Sequence, residues 1–140
     1  MSIRDRLSTR NLLSRKHMPI PSTNCVLCSL QFEETVDHLF MECSFARNCW
    51  SLLGLVIISE PDILRRLQSL KTQLNVSFFM EVIILLCRSI WISRNDVIFR
   101  GISVNCFSCI KIFRYHVKQL LWKVKKKYFP RIESWLEQLV

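Results

Sequence analysis

The chain has 140 residues, 50% of them hydrophobic, with only two glycines and four prolines. This length allows one domain with a buried core, and the composition excludes a disordered or collagen-like chain. The formal net charge of +9, from 20 Lys and Arg against 11 Asp and Glu, favours a nucleic acid or an anionic surface as partner.

Helices joined by short connections are predicted along the whole chain. Residues 2–16 place apolar side chains at roughly helical spacing, and the prolines at 19 and 21 end that helix. Candidate caps and breaks then predict helices from Ser44 to about Gly54, Ser59 to about Leu74, Ser77 to about Phe99, and Asn105 to about Tyr128. We expect Pro130 to end the last of these, before a short amphipathic tail. Only residues 55–58 are a candidate for a short strand.

Four potential metal ligands, Cys25, Cys28, His38 and Cys43, have the spacing C-x2-C-x9-H-x4-C. Two residues between the first two cysteines let both sulfurs reach one ion, and three thiolates with one imidazole form a closed tetrahedral Zn²⁺ site. Residues five apart on a continuous α-helix point about 140° away from each other, so His38 and Cys43 cannot share an ion on one helix. A helix that begins near Glu33 must therefore break around residues 41–42.

The predicted zinc ion has a structural role. Protein atoms fill all four coordination positions, which leaves none for a reactive water. The alternative interpretation is a set of unrelated core thiols with one surface histidine. The complete fourfold spacing favours the metal over that alternative.

The sequence around these ligands resembles the reverse-transcriptase zinc-binding domain of plant LINE-type (non-LTR) retrotransposons. The similar blocks are Arg6-Leu7-Ser8-Thr9 with Leu12, Cys25 to Cys28 and Glu33 to Arg47 with Trp50, and Ile90-Trp91 with Arg94 to Gly101. The resemblance spans about residues 5–101. It implies zinc binding and nucleic-acid association in a free-standing, N-terminally truncated form of the domain. It does not imply polymerase activity, because neither a reverse-transcriptase nor a ribonuclease H domain fits into this chain.

Two groups of basic residues are candidates for contacts to RNA or DNA phosphates. Their members are Arg10, Arg15 and Lys16 near the N-terminus, and Arg114, Lys118, Lys123, Lys126 and Lys127 on the last long helix. The second group also fits a nuclear-localisation cluster. A solvated helix face with lysines near its C-terminus is the alternative interpretation.

Several other residues attract attention by their type. Cys106 and Cys109 form a second C-x2-C pair, but no further ligand completes a metal site, so we interpret them as core or half-exposed thiols. Arg94 and Asn95 interrupt an apolar helix, which indicates a buried hydrogen-bonding device that ties the helix to a loop; a base-reading role is the alternative. The four tryptophans, Trp50, Trp91, Trp122 and Trp135, lie at positions compatible with core packing.

The seven cysteines and the absence of an apolar signal segment indicate a reducing compartment, the nucleus or the cytoplasm. The Arg- and Ser-rich N-terminus also resembles a mitochondrial transit peptide, which keeps the mitochondrion as an alternative. The longest apolar run, 77–92, contains Glu81 and Arg88 and is too short to cross a bilayer, so we expect no membrane insertion.

The sequence thus predicts a mainly α, small irregular helical domain with a zinc-knuckle lobe and long C-terminal amphipathic helices. Residues 1–54 form the zinc-binding module, with the lobe at 24–44, and residues 55–140 form a helical region packed on it. No catalytic constellation and no small-molecule substrate are expected. We expect a zinc-binding, nucleic-acid-associated retroelement fragment. The alternative is a host-adopted protein–protein interaction module, with a regulatory or toxic role.

Overall fold

The structure is a computed structural model that describes residues 9–17, 20, 22–123, 127 and 129–139. The helical elements are α1 (Arg10–Arg15), a π-helical turn (His38–Glu42), α2 (Ser44–Leu52), α3 (Ile63–Leu74), α4 (Phe79–Arg100), α5 (Cys106–Leu121) and α6 (Phe129–Glu137). Over these described residues there is no strand, only an isolated antiparallel bridge between Asn24 and Glu33. The prediction of a mainly α fold with a small irregular lobe is confirmed.

Two of the predicted helix starts are wrong by a few residues. Asp62, and not Ser59, caps α3, because its carboxylate accepts a hydrogen bond of 3.0 Å from the Leu64 N–H. The long apolar helix begins after Phe78 without a side-chain cap, so Ser77 has no capping role. Packing of the apolar faces, and not capping, therefore determines where α4 begins.

The predicted last helix, 105–128, is shorter than expected, and the predicted amphipathic tail is a separate helix. Helix α5 ends at Leu121, and α6 begins at Phe129. Pro130 does not end a helix; it lies in the first turn of α6, where its missing N–H has no hydrogen bond to lose. The stretch 124–126 between these helices, with Lys126 and its predicted phosphate contact, lies outside the described residues.

The core joins the metal-binding segment to the C-terminal helices. Helix α4 packs along α5, α2 packs on α5, and the π-helical turn contacts both α2 and α4. Trp50 of α2 is fully buried, and its indole N–H donates a 2.8 Å hydrogen bond to the Phe40 carbonyl. Buried side chains from residue 25 to residue 136 form one continuous hydrophobic cluster. The predicted boundary between modules at residue 54 stays a prediction.

The segment 55–58 is extended but has no strand partner in the described part of the chain. Its side chains alternate between buried and exposed positions, as in a strand. The Gln73 amide takes the place of a neighbouring strand, because it accepts from the Val56 N–H at 2.9 Å and donates to the Val56 carbonyl at 2.8 Å.

Helix α4 is the central helix, and its apolar side chains Val82, Ile83, Leu86 and Ile90 are buried in the core. Among the described residues, no single helix is long and apolar enough to cross a membrane. Helices α3 and α4 pass that test only as a pair, by length and composition, with a bend of 114° between them.

Candidate metal centre

The structure brings the four predicted ligands together. One side-chain donor atom from each of Cys25, Cys28, His38 and Cys43 lies within 4.8 Å of the other three. Cys25, His38 and Cys43 are buried, and Cys28 is half-buried. A cluster of three thiols and one imidazole, shielded from water and converging on one point, can hold a metal ion.

The distances within the cluster fit a tetrahedral zinc site. Zinc–sulfur bonds of about 2.3 Å and zinc–nitrogen bonds of about 2.0–2.1 Å set the edges of such a site at roughly 3.8 Å between two sulfurs and roughly 3.6 Å between sulfur and nitrogen. The Cys25 and Cys43 sulfurs are 3.9 Å apart, and the Cys28 sulfur is 3.4 Å from His38 Nε2. Nε2 is therefore the ring nitrogen that faces the ion position.

A short antiparallel turn presents the first two ligands. The Cys25 N–H donates to the Phe32 carbonyl at 2.8 Å, and the Glu34 N–H donates to the Thr23 carbonyl at 2.8 Å. Gln31 adopts a positive φ of 59° to close the turn. The expectation that a helix begins near Glu33 is wrong, because residues 33 and 34 pair with the strand-like segment 23–25 and helical geometry begins only at Val36.

A π-helical turn brings the last two ligands onto one ion. The Cys43 N–H donates to the His38 carbonyl at 2.7 Å, which is an i→i+5 hydrogen bond. Because this turn is wider than an α-helical turn, residue 43 lies about one full turn after residue 38, on the same side of the helix axis. In an α-helix, residue 43 would point to a different side from residue 38. Cys43 then leaves helical geometry with ψ of 138° before α2 begins. The predicted break is present, but it lies at residue 43 and is preceded by this wide turn.

In the metal-free protein, the surroundings of Cys25 and Cys43 shift the pKa values of these two thiols in opposite directions. The hydrogen bond between the two sulfurs raises the pKa of Cys25 and lowers the pKa of Cys43; burial also raises the former. The backbone N–H groups of Phe45 and Ala46, at the start of α2, further lower the pKa of Cys43. Burial lowers the pKa of His38 below its usual value of 6.5, which keeps the ring neutral and able to coordinate a metal.

A buried ion pair fastens the metal-binding segment to α4. The Glu34 carboxylate is fully buried and accepts hydrogen bonds from Arg94 Nε at 3.0 Å and Nη2 at 2.8 Å. It also accepts from the Arg10 backbone N–H at 2.7 Å, at the start of α1. Arg94 additionally donates to Asn95 Oδ1 at 2.8 Å and lies over the Trp91 ring at 4.6 Å. The predicted hydrogen-bonding role of Arg94 is confirmed, and its burial excludes base reading.

Two large apolar side chains at the tip of the turn face solvent. Leu30 is 60% exposed and Phe32 is 54% exposed. The Phe32 ring lies 5.3 Å from the His38 ring, centre to centre, and is tilted by 42° to it, so it packs against a ligand. The tip therefore combines a shield for the metal centre with an exposed apolar surface.

The charges of the chain are divided between two regions. The metal lobe, residues 24–44, contains four Asp or Glu and no Lys or Arg, whereas the segment 97–132 contains nine Lys or Arg and no Asp or Glu. A Zn²⁺ ion held by three thiolates makes the lobe more negative by about one unit. The formal charge of the metal lobe's own residues is therefore negative, although Glu34 and Glu42 pair with Arg94 of α4 and Arg66 of α3; that of the second segment, which we call the basic segment, is positive.

The proposed phosphate-binding residues occupy different surroundings. Arg10 is half-buried, and its guanidinium donates to the Asn24 carbonyl at 3.0 Å. Arg114 is half-buried and donates to the Leu139 carbonyl at 3.2 Å. The exposed members are Arg15 and Lys16 near the N-terminus and Lys118, Lys123 and Lys127 in the basic segment. The structure thus presents more exposed cations on the C-terminal side than beside the metal centre.

The remaining cysteines belong to the helical core. Cys109 is fully buried and hydrogen-bonds with Cys49 of α2, which raises the pKa of Cys49 and lowers that of Cys109. Burial raises the pKa of Cys87 to about 12, so this thiol stays protonated. Over the described residues, no second group of potential metal ligands converges. This agrees with the interpretation of the second C-x2-C pair, Cys106 and Cys109, as structural thiols.

Sequence reasoning missed two residues of interest. It placed Glu34 at a helix start, whereas Glu34 is the buried partner of Arg94; the available signal was a pair of adjacent carboxylates in a segment without cations. It took core packing as the default for Trp122, whereas this indole is 84% exposed. The basic residues around Trp122 were the signal that its surroundings are solvated.

Comparison with known proteins supports the metal centre. Residues 1–50 match the family described as zinc-binding in reverse transcriptase, and the matched segment contains all four clustered ligands. The resemblance to a zinc-binding domain of reverse transcriptases is confirmed over these residues. No curated protein and no solved structure matches the chain.

Proposed function

We propose that this chain is a zinc-stabilised, nucleic-acid-associated module derived from the reverse-transcriptase protein of a plant LINE-type retrotransposon. The zinc ion is structural in this proposal, and the module has no polymerase or other catalytic activity of its own. The partner is RNA or DNA, and the module acts in the nucleus or the cytoplasm, with the mitochondrion as the alternative compartment.

The convergence of Cys25, Cys28, His38 and Cys43 within the matched segment carries the metal part of the proposal. Three thiolates and one imidazole suit Zn²⁺ better than the hard cations Mg²⁺ and Ca²⁺, which prefer oxygen ligands. Four protein ligands complete a tetrahedral shell, so the ion supplies folding free energy and no activated water. The apparent contribution of such sites is about 10–16 kcal/mol.

The basic segment carries the nucleic-acid part. Its excess of cations favours a polyanionic partner. The segment is also far from the acidic metal lobe in the sequence. Lys118, Lys123 and Lys127 are exposed there. In a complete element, a module of this kind would hold template or transcript near the polymerase.

The proposal is tested by measuring metal content and salt-dependent binding on the same preparation. We expect one zinc per chain by atomic absorption, and binding to RNA or DNA oligonucleotides whose affinity falls steeply between low and physiological salt. A zinc-loaded protein that binds neither nucleic acid at low salt would contradict the nucleic-acid part and leave the metal part intact.

The apolar tip of the metal lobe favours a second candidate function, a protein–protein interaction module with a regulatory or toxic role. Leu30 and Phe32 are exposed in a lobe that contains no Lys or Arg to hold phosphates, which suits a protein partner better than a nucleic acid. A nuclease-treated pull-down separates the candidates. A partner that is retained after nuclease and lost in the double variant Leu30→Ser/Phe32→Ser would support this second function.

A further inference from the structure

Trp122, at the end of α5, is the most exposed large hydrophobic side chain in the described part of the protein. Its indole is 84% exposed, whereas Trp50 is fully buried and Trp91 and Trp135 are half-buried. Leaving such a large ring in water forgoes the stabilisation that its burial would give. An indole retained on the surface amid charged residues is typical of a binding site.

A cavity of about 660 Å³ lies beside this indole, between α5 and α6. Leu121 and Trp122 line it from α5, and Phe129 and Leu136 line it from α6. An apolar, aromatic-rimmed cavity of this size has room for a planar ring system. Ligand cavities in proteins are typically about 300–1,000 Å³.

Cations lie on the α5 side of this cavity. Arg114 and Lys118 precede Trp122 by two turns and one turn of helix, and both line the cavity. Lys123 follows Trp122 directly and is exposed. The opposite side is acidic, because Glu133 and Glu137 of α6 line it. Phosphates are therefore attracted along α5 and excluded from α6, while carboxylates can accept hydrogen bonds from the amino groups of bases.

We propose that Trp122 and the cavity beside it bind an unpaired base of a single-stranded RNA or DNA, with Lys118 and Lys123 holding the adjacent phosphates. This site rests on the proposed nucleic-acid function and specifies its ligand. An indole can stack only on a base whose face is free, which excludes the interior of a duplex. A flat ring flanked by cations is the combination that single-strand-binding surfaces use.

The test uses the full chain, loaded with zinc, and 12-nucleotide oligo(dT) and oligo(U) at low salt. Binding of either oligonucleotide quenches the tryptophan emission of the wild type, because the exposed indole stacks on a base. Trp122→Phe keeps a stacking ring and retains most of the affinity but loses the quench. Trp122→Ala weakens binding by about 5- to 150-fold, the range for loss of one stacked base. Anisotropy of a labelled oligonucleotide measures affinity for all variants.

Phe107→Ala is the matched control, since it removes an aromatic ring that is 66% exposed at the other end of the same helix, away from the cavity. We expect it to bind like the wild type. Metal content and circular dichroism measure whether each variant is folded. We expect that each is, because Trp122 and Phe107 are both exposed and contribute little to the core. A duplex of the same length should bind more weakly than oligo(dT) and be insensitive to Trp122→Ala.

The outcomes separate the site from the function on which it rests. A wild type that binds no oligonucleotide at low salt would overturn the proposed function and the site together. A wild type that binds both oligonucleotides without a quench, and equally well as Trp122→Ala, would overturn the site alone. Equal loss of duplex binding in Trp122→Ala would overturn the single-strand assignment. Loss of a nuclease-resistant protein partner in Trp122→Ala, with oligonucleotide binding unchanged, would assign the surface to protein.

Discussion

The metal lobe and the basic segment differ in how they are held together. The metal lobe, residues 24–44, has convergent thiols, a wide π-helical turn and a buried carboxylate, and its charged side chains are all acidic. The basic segment, residues 97–132, is centred on one regular helix, α5, whose buried face packs on α4; the charged side chains of the segment are all basic. One region depends on ligands and polar contacts, and the other on helix packing.

If the proposed function holds, this difference means that the folding free energy supplied by zinc and the binding of nucleic acid are located in separate parts of the chain. An ion coordinated by three thiolates adds about one negative charge to the metal lobe, whose formal charge is therefore opposite in sign to that of the basic segment. Helix packing requires no surface charge, and the solvent face of α5 is therefore free to carry lysines. Perturbations of the two regions should accordingly give different results.

Loss of a metal ligand should have the largest effect. Cys43→Ser removes a fully buried thiolate. We expect loss of zinc and of the lobe's folded structure, because the binding of zinc to a structural site contributes about 10–16 kcal/mol. Atomic absorption and near-ultraviolet circular dichroism measure the two losses. Cys106→Ser, at a half-buried thiol of α5, is the control and should keep the metal. Retention of a full equivalent of tightly bound zinc by Cys43→Ser would contradict the assignment.

Removal of one partner of the buried ion pair should have the next largest effect. Arg94→Met leaves the Glu34 carboxylate buried without its guanidinium, and we expect a loss of about 3–5 kcal/mol in the free energy of unfolding. The double variant Glu34→Leu/Arg94→Met should recover much of that loss, because no buried charge remains. Chemical denaturation of the zinc-loaded proteins measures both.

An exposed pair on the same helix provides the control. Arg100→Ala breaks the ion pair of 3.3 Å with Asp96 near the end of α4, and solvent screening limits its cost to about 1 kcal/mol or less. If Arg94→Met were no more destabilising than Arg100→Ala, the buried pair would not fasten the lobe to α4.

Neutralising cations of the basic segment should weaken nucleic-acid binding without a loss of stability. For Lys118→Gln/Lys123→Gln we expect the slope of log affinity against log salt to fall by about 1.4, the value for two phosphate contacts on a single strand. Arg65→Gln/Lys71→Gln, which removes two exposed cations of α3, should leave the slope unchanged. Equal effects of the two double variants would show that the net charge of the protein determines binding, and not the position of the cations.

The smallest effect concerns His116 of α5. Burial, and then the nearby Arg88 of α4, lower the pKa of His116 below its usual 6.5. His116 therefore binds a proton less readily in the folded state than in the unfolded state. Its contribution to stability is fully present above about pH 6.5 and is lost as the pH falls below that value. His116→Gln should reduce this acid loss by about 1 kcal/mol or less, given solvent screening. Denaturation of both proteins at several pH values measures the difference; an unchanged pH dependence would contradict it.

Local patterns predicted the parts of the fold that depend on nearby residues. The spacing of Cys25, Cys28, His38 and Cys43 identified the cluster, because a closed zinc site leaves a recognisable pattern of ligands. The end of α4 was also predicted to within a residue, at about Phe99; the helix ends at Arg100, and Gly101 follows with a positive φ of 61°, which favours glycine.

Contacts between distant residues limited the rest. Nothing in the sequence pairs Glu34 with Arg94, which are 60 positions apart, because the pairing depends on how α4 lies against the lobe. The apolar spacing of α5 continues past Leu121, so periodicity alone could not place the end of that helix. Trp122 is the residue that follows this end as the C-cap, and periodicity therefore could not predict its exposure.

Glu34 pairs with a residue 60 positions later in the chain, and this separation affects the order in which the protein can fold during synthesis. The four ligands lie within 19 consecutive residues, so zinc can bind soon after Cys43 leaves the ribosome. At that moment Glu34 has no counter-ion to accompany it into the interior, and water must remain around it. Only after Arg94 has emerged can this carboxylate be enclosed. The lobe can therefore begin to fold before α4 is made, and it is completed only when the middle of α4 reaches it.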